Sequence, residues 1–232
     1  MRYDIESKSK RKILRSVFKE FNSENSFKFV RTSLLLRDNY DIIQYFDFHI
    51  APGRLIADIV VQPLYVPNEG FCVELSERLS RIGSPTRFPW GKCNGSEDEY
   101  TENVKDMLNI ISSEGLKWFD KVSSPEKIIY EVSKPNGTRI FGPCPPVVRS
   151  KIIGLSYLYL GDTERALPYL EEHIQIRSER FEGVSDYVIE HWNSVIEEYK
   201  DWIHMANNDK NLLSERFNQI ILDNRRKLKL DK

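Results

Sequence analysis

The run Asp41-Ile42-Ile43-Gln44-Tyr45-Phe46-Asp47-Phe48-His49-Ile50-Ala51-Pro52-Gly53-Arg54-Leu55-Ile56-Ala57-Asp58-Ile59-Val60-Val61-Gln62 decides the fold. It reads as two strands, the first over Asp41 to Ile50 and the second opening at Arg54, joined at Ala51-Pro52-Gly53-Arg54. Pro fixes φ and Gly admits positive φ, so that tetrapeptide is a turn. Closed symmetrically, the hairpin sets Ile50 opposite Leu55, Phe48 opposite Ala57, Phe46 opposite Ile59 and Gln44 opposite Val61. One face is then almost continuously apolar. A slip of one residue would mix the two sets, so the pattern itself specifies the register.

The same register defines an opposite face, where Asp47 lies across from Asp58, His49 from Ile56 and Tyr45 from Val60. Two carboxylates side by side repel unless something neutralises them. With a histidine beside them they suit a divalent metal or a shared proton. The simpler reading is a solvated sheet face with Lys28, Arg31 or Arg54 nearby, since antiparallel sheets commonly present one face to water. No further ligands follow at metal-site spacing, so no metal is expected. Tyr45, Asp47, His49 and Asp58 are therefore candidate binding residues rather than catalytic ones. Trp90, in the Pro89-Trp90-Gly91 loop, joins them, because a loop aromatic can anchor a partner; it can equally plug the open end of a sheet.

Outward from the hairpin, the spacing of Ile13, Leu14, Val17, Phe18 and Phe21 predicts an amphipathic helix over Ser7 to Asn22, with basic residues on its other face. Phe27 to Leu36 reads as a strand. A connection at Arg37-Asp38-Asn39-Tyr40 would place Phe29 beside Phe48 and Phe27 beside Ile50, although Arg31 and Ser33 interrupt the apolar face. The strand opened at Arg54 runs to Tyr65, and Pro63 within it removes a ladder donor, marking an edge or a point where the strand bends away. A short fourth strand is expected at Phe71 to Leu75, then an irregular loop from Arg78 to Gly95.

Helices follow. Ser96 with Glu99 three residues on is a capping box, and Ser124-Pro125-Glu126 starts another helix with Pro at its first position. Pro135, Gly137, Gly142, Pro143, Pro145 and Pro146 mark a linker over Lys134 to Pro146. Beyond it, Gly154, Tyr157, Gly161 and Ala166 stand at the spacing of one tetratricopeptide-type helical hairpin, expected over Pro146 to Ser178. Gly154 and Ala166 are small where two helices cross, Tyr157 fills the gap between them, and Gly161 ends the first helix. Further helices are expected over Ser185 to Ala206 and from Asp209 onward. A free-standing solenoid needs about three repeats, so this hairpin should pack on other helices rather than form an array. The expected fold is α+β: a small antiparallel sheet of three or four strands covered by helices, in a domain over residues 1–134. A helical region over 145–232 completes it.

Composition narrows the function. The chain has 232 residues, 40% hydrophobic and 30% charged, with a formal net charge of -1, which gives no overall pull toward nucleic acid or anionic membrane. Basic residues cluster only at the ends, from Lys8 to Arg15 and at Arg225, Arg226, Lys227 and Lys229. The three cysteines, Cys72, Cys93 and Cys144, are far apart and form no C-x-x-C pair, which fits a reducing compartment. Met1 to Glu6 lacks the apolar core of a signal peptide, and no run approaches the roughly 20 apolar residues of a membrane span, so a cytoplasmic location is expected. His173, His191 and His204 form no H-E-x-x-H pair, and neither Asn94-Gly95-Ser96 nor Asn136-Gly137-Thr138 is a phosphate loop. No cofactor is expected.

The Asp41–Phe48 strand, the run Ile59-Val60-Val61-Gln62-Pro63-Leu64-Tyr65-Val66-Pro67, the Arg78-Leu79 pair and the aromatic Trp90 together resemble the bacterial family called domain of unknown function 4304. The resemblance covers roughly residues 10–132 and implies a helix, a small sheet and then helices. It implies no established activity, cofactor or catalytic residue. Some relatives look like products of bacterial toxin–immunity or defence neighbourhoods, so the resemblance implies an immunity or accessory protein that binds another protein. The expected function is thus a non-enzymatic protein-interaction module. The alternative is a ligand- or metal-binding protein, or an enzyme, using Asp47, His49 and Asp58.

Overall fold

The computed structural model describes residues 7–51, 54–82, 96–135, 140–142, 144–179 and 185–231, without the side chains of residues 7, 50, 51 and 54. The Pro52-Gly53 turn, the Gly83–Gly95 stretch with Trp90 and Cys93, and Asn136-Gly137-Thr138 lie outside the described residues. The fold is α+β, and it divides into two compact units. One comprises Met1–Gln62 and Leu75–Lys121; the other comprises Pro63–Glu74 and Val122–Lys232.

The first unit is built on a five-stranded antiparallel sheet in sequential order: β1 (Lys28–Phe29), β2 (Leu34–Asp38), β3 (Ile42–Ala51), β4 (Arg54–Pro63) and β5 (Ser76–Arg78). The expected apolar face is present. Phe46, Phe48, Leu55, Ala57, Ile59 and Val61 are all buried, and helical residues lie against them. Phe18 sits between α1 (Ser7–Val17) and α2 (Lys19–Glu24) with its ring 5.3 Å from that of Phe48. Phe119, on α5 (Leu116–Asp120), stands 5.1 Å from Phe46. Each buried phenylalanine contributes about 1.5–3 kcal/mol, so this aromatic layer dominates the unit's stability. The helix capped by Ser96 forms as α4 (Glu97–Ile110), with Ser96 Oγ accepting from Glu99 N at 3.2 Å, and a π-helical turn (Ile111–Gly115) leads into α5.

Four expectations are corrected. Phe27 to Leu36 is not one strand: it folds on itself through Val30–Ser33, with Val30 N donating to Leu34 O, so β1 pairs with β2. That split supplies the additional strand. β2 then meets β3 with Leu35 opposite Phe46 and Leu36 opposite Tyr45, and Phe48 N donates to Ser33 O at 2.8 Å beyond the end of the ladder. Phe29 still comes within 6.3 Å of Phe48, by way of β2 rather than by direct pairing. Phe71 to Leu75 forms no strand; the edge strand is β5, followed by the short α3 (Leu79–Ile82). The first helix breaks at Phe18, and Lys10, assigned to its wet face, is buried.

The second unit holds α6 (Pro125–Ser133), α7 (Pro146–Tyr159), α8 (Thr163–Ser178), α9 (Asp186–Asn208) and α10 (Lys210–Leu228). Ser124 caps α6 with Pro125 at its start. α7 and α8 are the expected hairpin: Gly161 turns the chain at φ +77°, Ala166 is buried, and Tyr157 reaches α8 by stacking on Tyr169 at 6.1 Å. α8 packs on α9 and α9 on α10, and Phe217 of α10 closes back on Tyr159 of α7 at 5.4 Å. The segment 63–74 belongs here because β4 ends at Pro63, where the missing donor stops the ladder. Leu64, Tyr65 and Val66 are buried among the helices: Tyr65 stacks on Tyr159 at 4.3 Å and shares a 2.9 Å hydrogen bond with Ser156 Oγ. No helix among the described residues is long and apolar enough to cross a membrane.

Candidate functional site

Side chains two apart on a strand share a face, so Asp47 and His49 lie together on β3, alternating with the buried Phe46 and Phe48. His49 Nε2 donates to Asp58 Oδ2 of β4 at 2.9 Å and stands 3.9 Å from Asp47 Oδ2. The three polar residues expected to cluster are therefore brought together. The sequence reading missed the fourth member. Arg78 of β5 lies opposite Asp58, and its Nε reaches Asp58 Oδ1 at 2.6 Å. The Arg78-Leu79 pair was visible as a motif, but with the edge strand expected at Phe71 to Leu75 nothing aligned Arg78 with the carboxylates.

Asp58 thus spends one oxygen on a guanidinium and the other on an imidazole. Asp47 differs. Burial, with the neighbouring Asp58 carboxylate, holds its carboxyl above the ordinary range, against the pull of His49 and Arg31. The site is an open polar strip with His49 about half exposed. It can hold a proton at Asp47 or accept a cationic or hydrogen-bonding group there. Among the described residues no group of three His, Cys, Asp or Glu side chains is arranged to hold a metal ion.

Tyr45 shares this face but is fully buried, as are Ile43 and Val60. The face is wet only toward the β3–β4 turn, and Tyr45 is not presented for binding. Trp90 lies outside the described residues.

The other candidates settle into structural roles. His173 of α8 is buried, its Nδ1 donating to Val147 O at 2.8 Å and its ring stacked on Tyr199 at 4.1 Å. Burial drops it to about 4, helped by Arg177 and Lys151. Burial and Glu74 push the Cys72 thiol up, the wrong direction for a nucleophile. The C-terminal cations are engaged: Arg225 with Asp231, Arg226 with Asp223, and Lys227 with Glu69. Comparison of the chain with protein families, with curated proteins and with solved structures finds no match.

Proposed function

We propose that the chain is a non-enzymatic protein-interaction module and that its helical unit makes the contact. One observation carries this reading. Among the described residues the exposed large hydrophobic side chains are Tyr40, Val73, Tyr130, Leu160, Tyr187, Leu212 and Leu222, and all but Tyr40 belong to the helical unit. Single exposed apolar residues are ordinary on any surface. Six of the seven described ones lie on the helical unit, which is where a partner would cover them. Crosslinking of the tagged full chain in its native cells, followed by mass spectrometry, tests it. Crosslinks to another protein should map to residues 122–232. Recovery of nothing above background, or crosslinks confined to the sheet unit, would remove the proposal.

A second reading uses the polar strip of Asp47, His49 and Asp58 for a ligand. It is favoured by the raised Asp47 carboxyl beside an imidazole, since perturbed titratable groups gather at functional sites. A thermal-shift screen of divalent metals and small cationic ligands tests this reading. Stabilisation that disappears with Asp47→Asn would support it, and no stabilisation by any of them would count against it.

A further inference from the structure

A hollow of about 270 Å³ lies within the helical unit, between the α7–α8 turn and the first turns of α10. Its chemistry follows from the periodicity of α10. Leu213 and Phe217, four residues apart, are buried and make its floor together with Leu158 and the half-buried Tyr159 of α7. That floor is held in place: the Phe217 ring stands edge-on to Tyr159 at 5.4 Å and lies 4.8 Å from Trp202. Lys210, Ser214 and Asn218, again four apart, form a second and exposed stripe beside the buried one. Thr163, the first residue of α8, adds a hydroxyl to the lining. Gly161 keeps the turn side open, since a β-carbon there would meet nothing within 4 Å.

The polar lining can donate at every point: an ammonium, two hydroxyls and a carboxamide, with no carboxylate among them. None of these four side chains has a hydrogen-bond or ion-pair partner among the described residues. Lys210 differs in this from Arg149, Lys151, Arg165, Lys200 and Arg216 of the same unit, each of which holds a carboxylate. The acidic residues adjacent in sequence are already spent. Asp162 accepts from Arg165 N and pairs with the Arg165 side chain at 2.6 Å, and Asp209 accepts from Asn211 N and Leu212 N. Size and charge then narrow the ligand. A cavity of about 150 Å³ holds benzene, so this one has room for a ring or short chain carrying a headgroup. One ammonium balances one negative charge, and a second would go uncompensated.

We propose that this hollow binds a small organic monocarboxylate. The apolar body lies on Leu213, Phe217 and Tyr159, the carboxylate pairs with Lys210 Nζ, and Thr163, Ser214 and Asn218 donate to its remaining lone pairs. An apolar floor with a few convergent polar groups is the usual build of a small-molecule site. The proposal does not depend on the protein-interaction reading.

The test is an NMR titration of the full chain, read at its backbone amides, with phenylpropionate, with the uncharged amide of that acid, and with phenyl phosphate. The acid should give saturable shifts at Leu158–Thr163 and Lys210–Asn218 that weaken as salt is raised. The amide ligand should bind at least about tenfold more weakly, and Lys210→Gln should cost the acid about the same factor while leaving the amide ligand unaffected. Comparing acid with amide on the parent chain needs no variant, so the proposal stays open to refutation even if Lys210→Gln fails to fold. Absence of saturable shifts, shifts that map elsewhere, equal binding of acid and amide, or an acid affinity indifferent to Lys210→Gln overturns the proposal. Tighter binding of phenyl phosphate than of the acid does so too, since it would assign the hollow to a dianion.

Discussion

Gly154 of α7 lies so close to Leu170 of α8 that a β-carbon at position 154 would stand 2.6 Å from Leu170 Cδ2 and 3.1 Å from its Cγ. Leu170 is fully buried and has little room to retreat. Two effects oppose each other in Gly154→Ala. Helix propensity favours alanine by about 1 kcal/mol. Overpacking of a closed core costs about 1–3 kcal/mol. The contact is with the backbone-proximal part of Leu170 as well as its tip, so overpacking should win. Urea unfolding should show a net loss of about 1 kcal/mol for Gly154→Ala and a larger one for Gly154→Val. A stabilised Gly154→Ala chain would mean that the two helices are free to separate.

Asn224 of α10 gives its side-chain amide to two carbonyls of the segment that leaves the sheet, Leu64 O at 2.7 Å and Val66 O at 2.9 Å, in buried surroundings. Asn224→Ala takes the amide bond from Leu64 O, at about 1–3 kcal/mol before relaxation, while Val66 O keeps the bond it accepts from Asn68 Nδ2 at 2.9 Å. The expected loss is about 1–3 kcal/mol by denaturant titration. Asn224→Asp is nearly isosteric yet should do no better, because at neutral pH a carboxylate has no proton to offer either carbonyl. Equal stability of Asn224→Asp and the parent chain would show that the amide bonds carry no weight.

Asp47 and Asp58 look alike in sequence and should respond oppositely to Asn. Asp58 is held between Arg78 and His49, so Asp58→Asn should destabilise by about 1 kcal/mol, the scale of a partly exposed ion pair. Asp47 is raised by burial and by Asp58, so its charged form is less favourable in the folded chain than in the unfolded one. The sign follows: Asp47 lowers stability as pH rises past the ordinary carboxylate range. Asp47→Asn should therefore be level or stabilising at pH 7, and its advantage should shrink in acid. Thermal unfolding of both variants at pH 7 checks the pair.

How much of this was legible is itself physical. Alternation along β3 and β4 identified Phe46, Phe48 and Ile59 as core because a period of two has only two solutions once one face is apolar. The same alternation was silent on whether the second face is wet. Ile43, Tyr45 and Val60 on that face are themselves apolar, and reading them as well as Asp47 and His49 would have confined the polar strip to one end. The turn inside Phe27 to Leu36 carries neither Gly nor Pro; its trace was the polar Arg31-Thr32-Ser33, which read only as a blemish on a strand. Arg78 was hidden for a different reason. Its partner is fixed by a strand of three residues, too short for any periodicity to show. The helical hairpin was plain because close helix crossing leaves few residue choices at Gly154 and Ala166.

His173 makes the stability of the helical unit depend on pH in a defined window. Its Nδ1 hydrogen is committed to Val147 O, and its Nε2 is buried with no partner, so the ring is folded in as the neutral form. A second proton would sit at Nε2 with no acceptor, under the field of Arg177 and Lys151. The carboxylates of Glu74, Glu172 and Glu198 on neighbouring elements are engaged or drawn elsewhere: Glu74 pairs with Lys151, Glu172 with Arg149 and Glu198 with Arg216. The folded value is about 4 against an ordinary 6.5. The unfolded chain therefore binds more protons between those limits, and stability falls as pH drops through them. The contribution is fully present above 6.5 and gone below about 4. At about 1.4 kcal/mol per pH unit, its whole extent is about 3 kcal/mol. Denaturant titrations of the parent chain and of His173→Gln, taken at half-unit steps from pH 7 to 4.5, isolate it from the carboxylates common to both. The parent should lose stability faster than the variant across that range. Parallel curves would mean that His173 takes up its proton without disturbing the contacts of α7, α8 and α9.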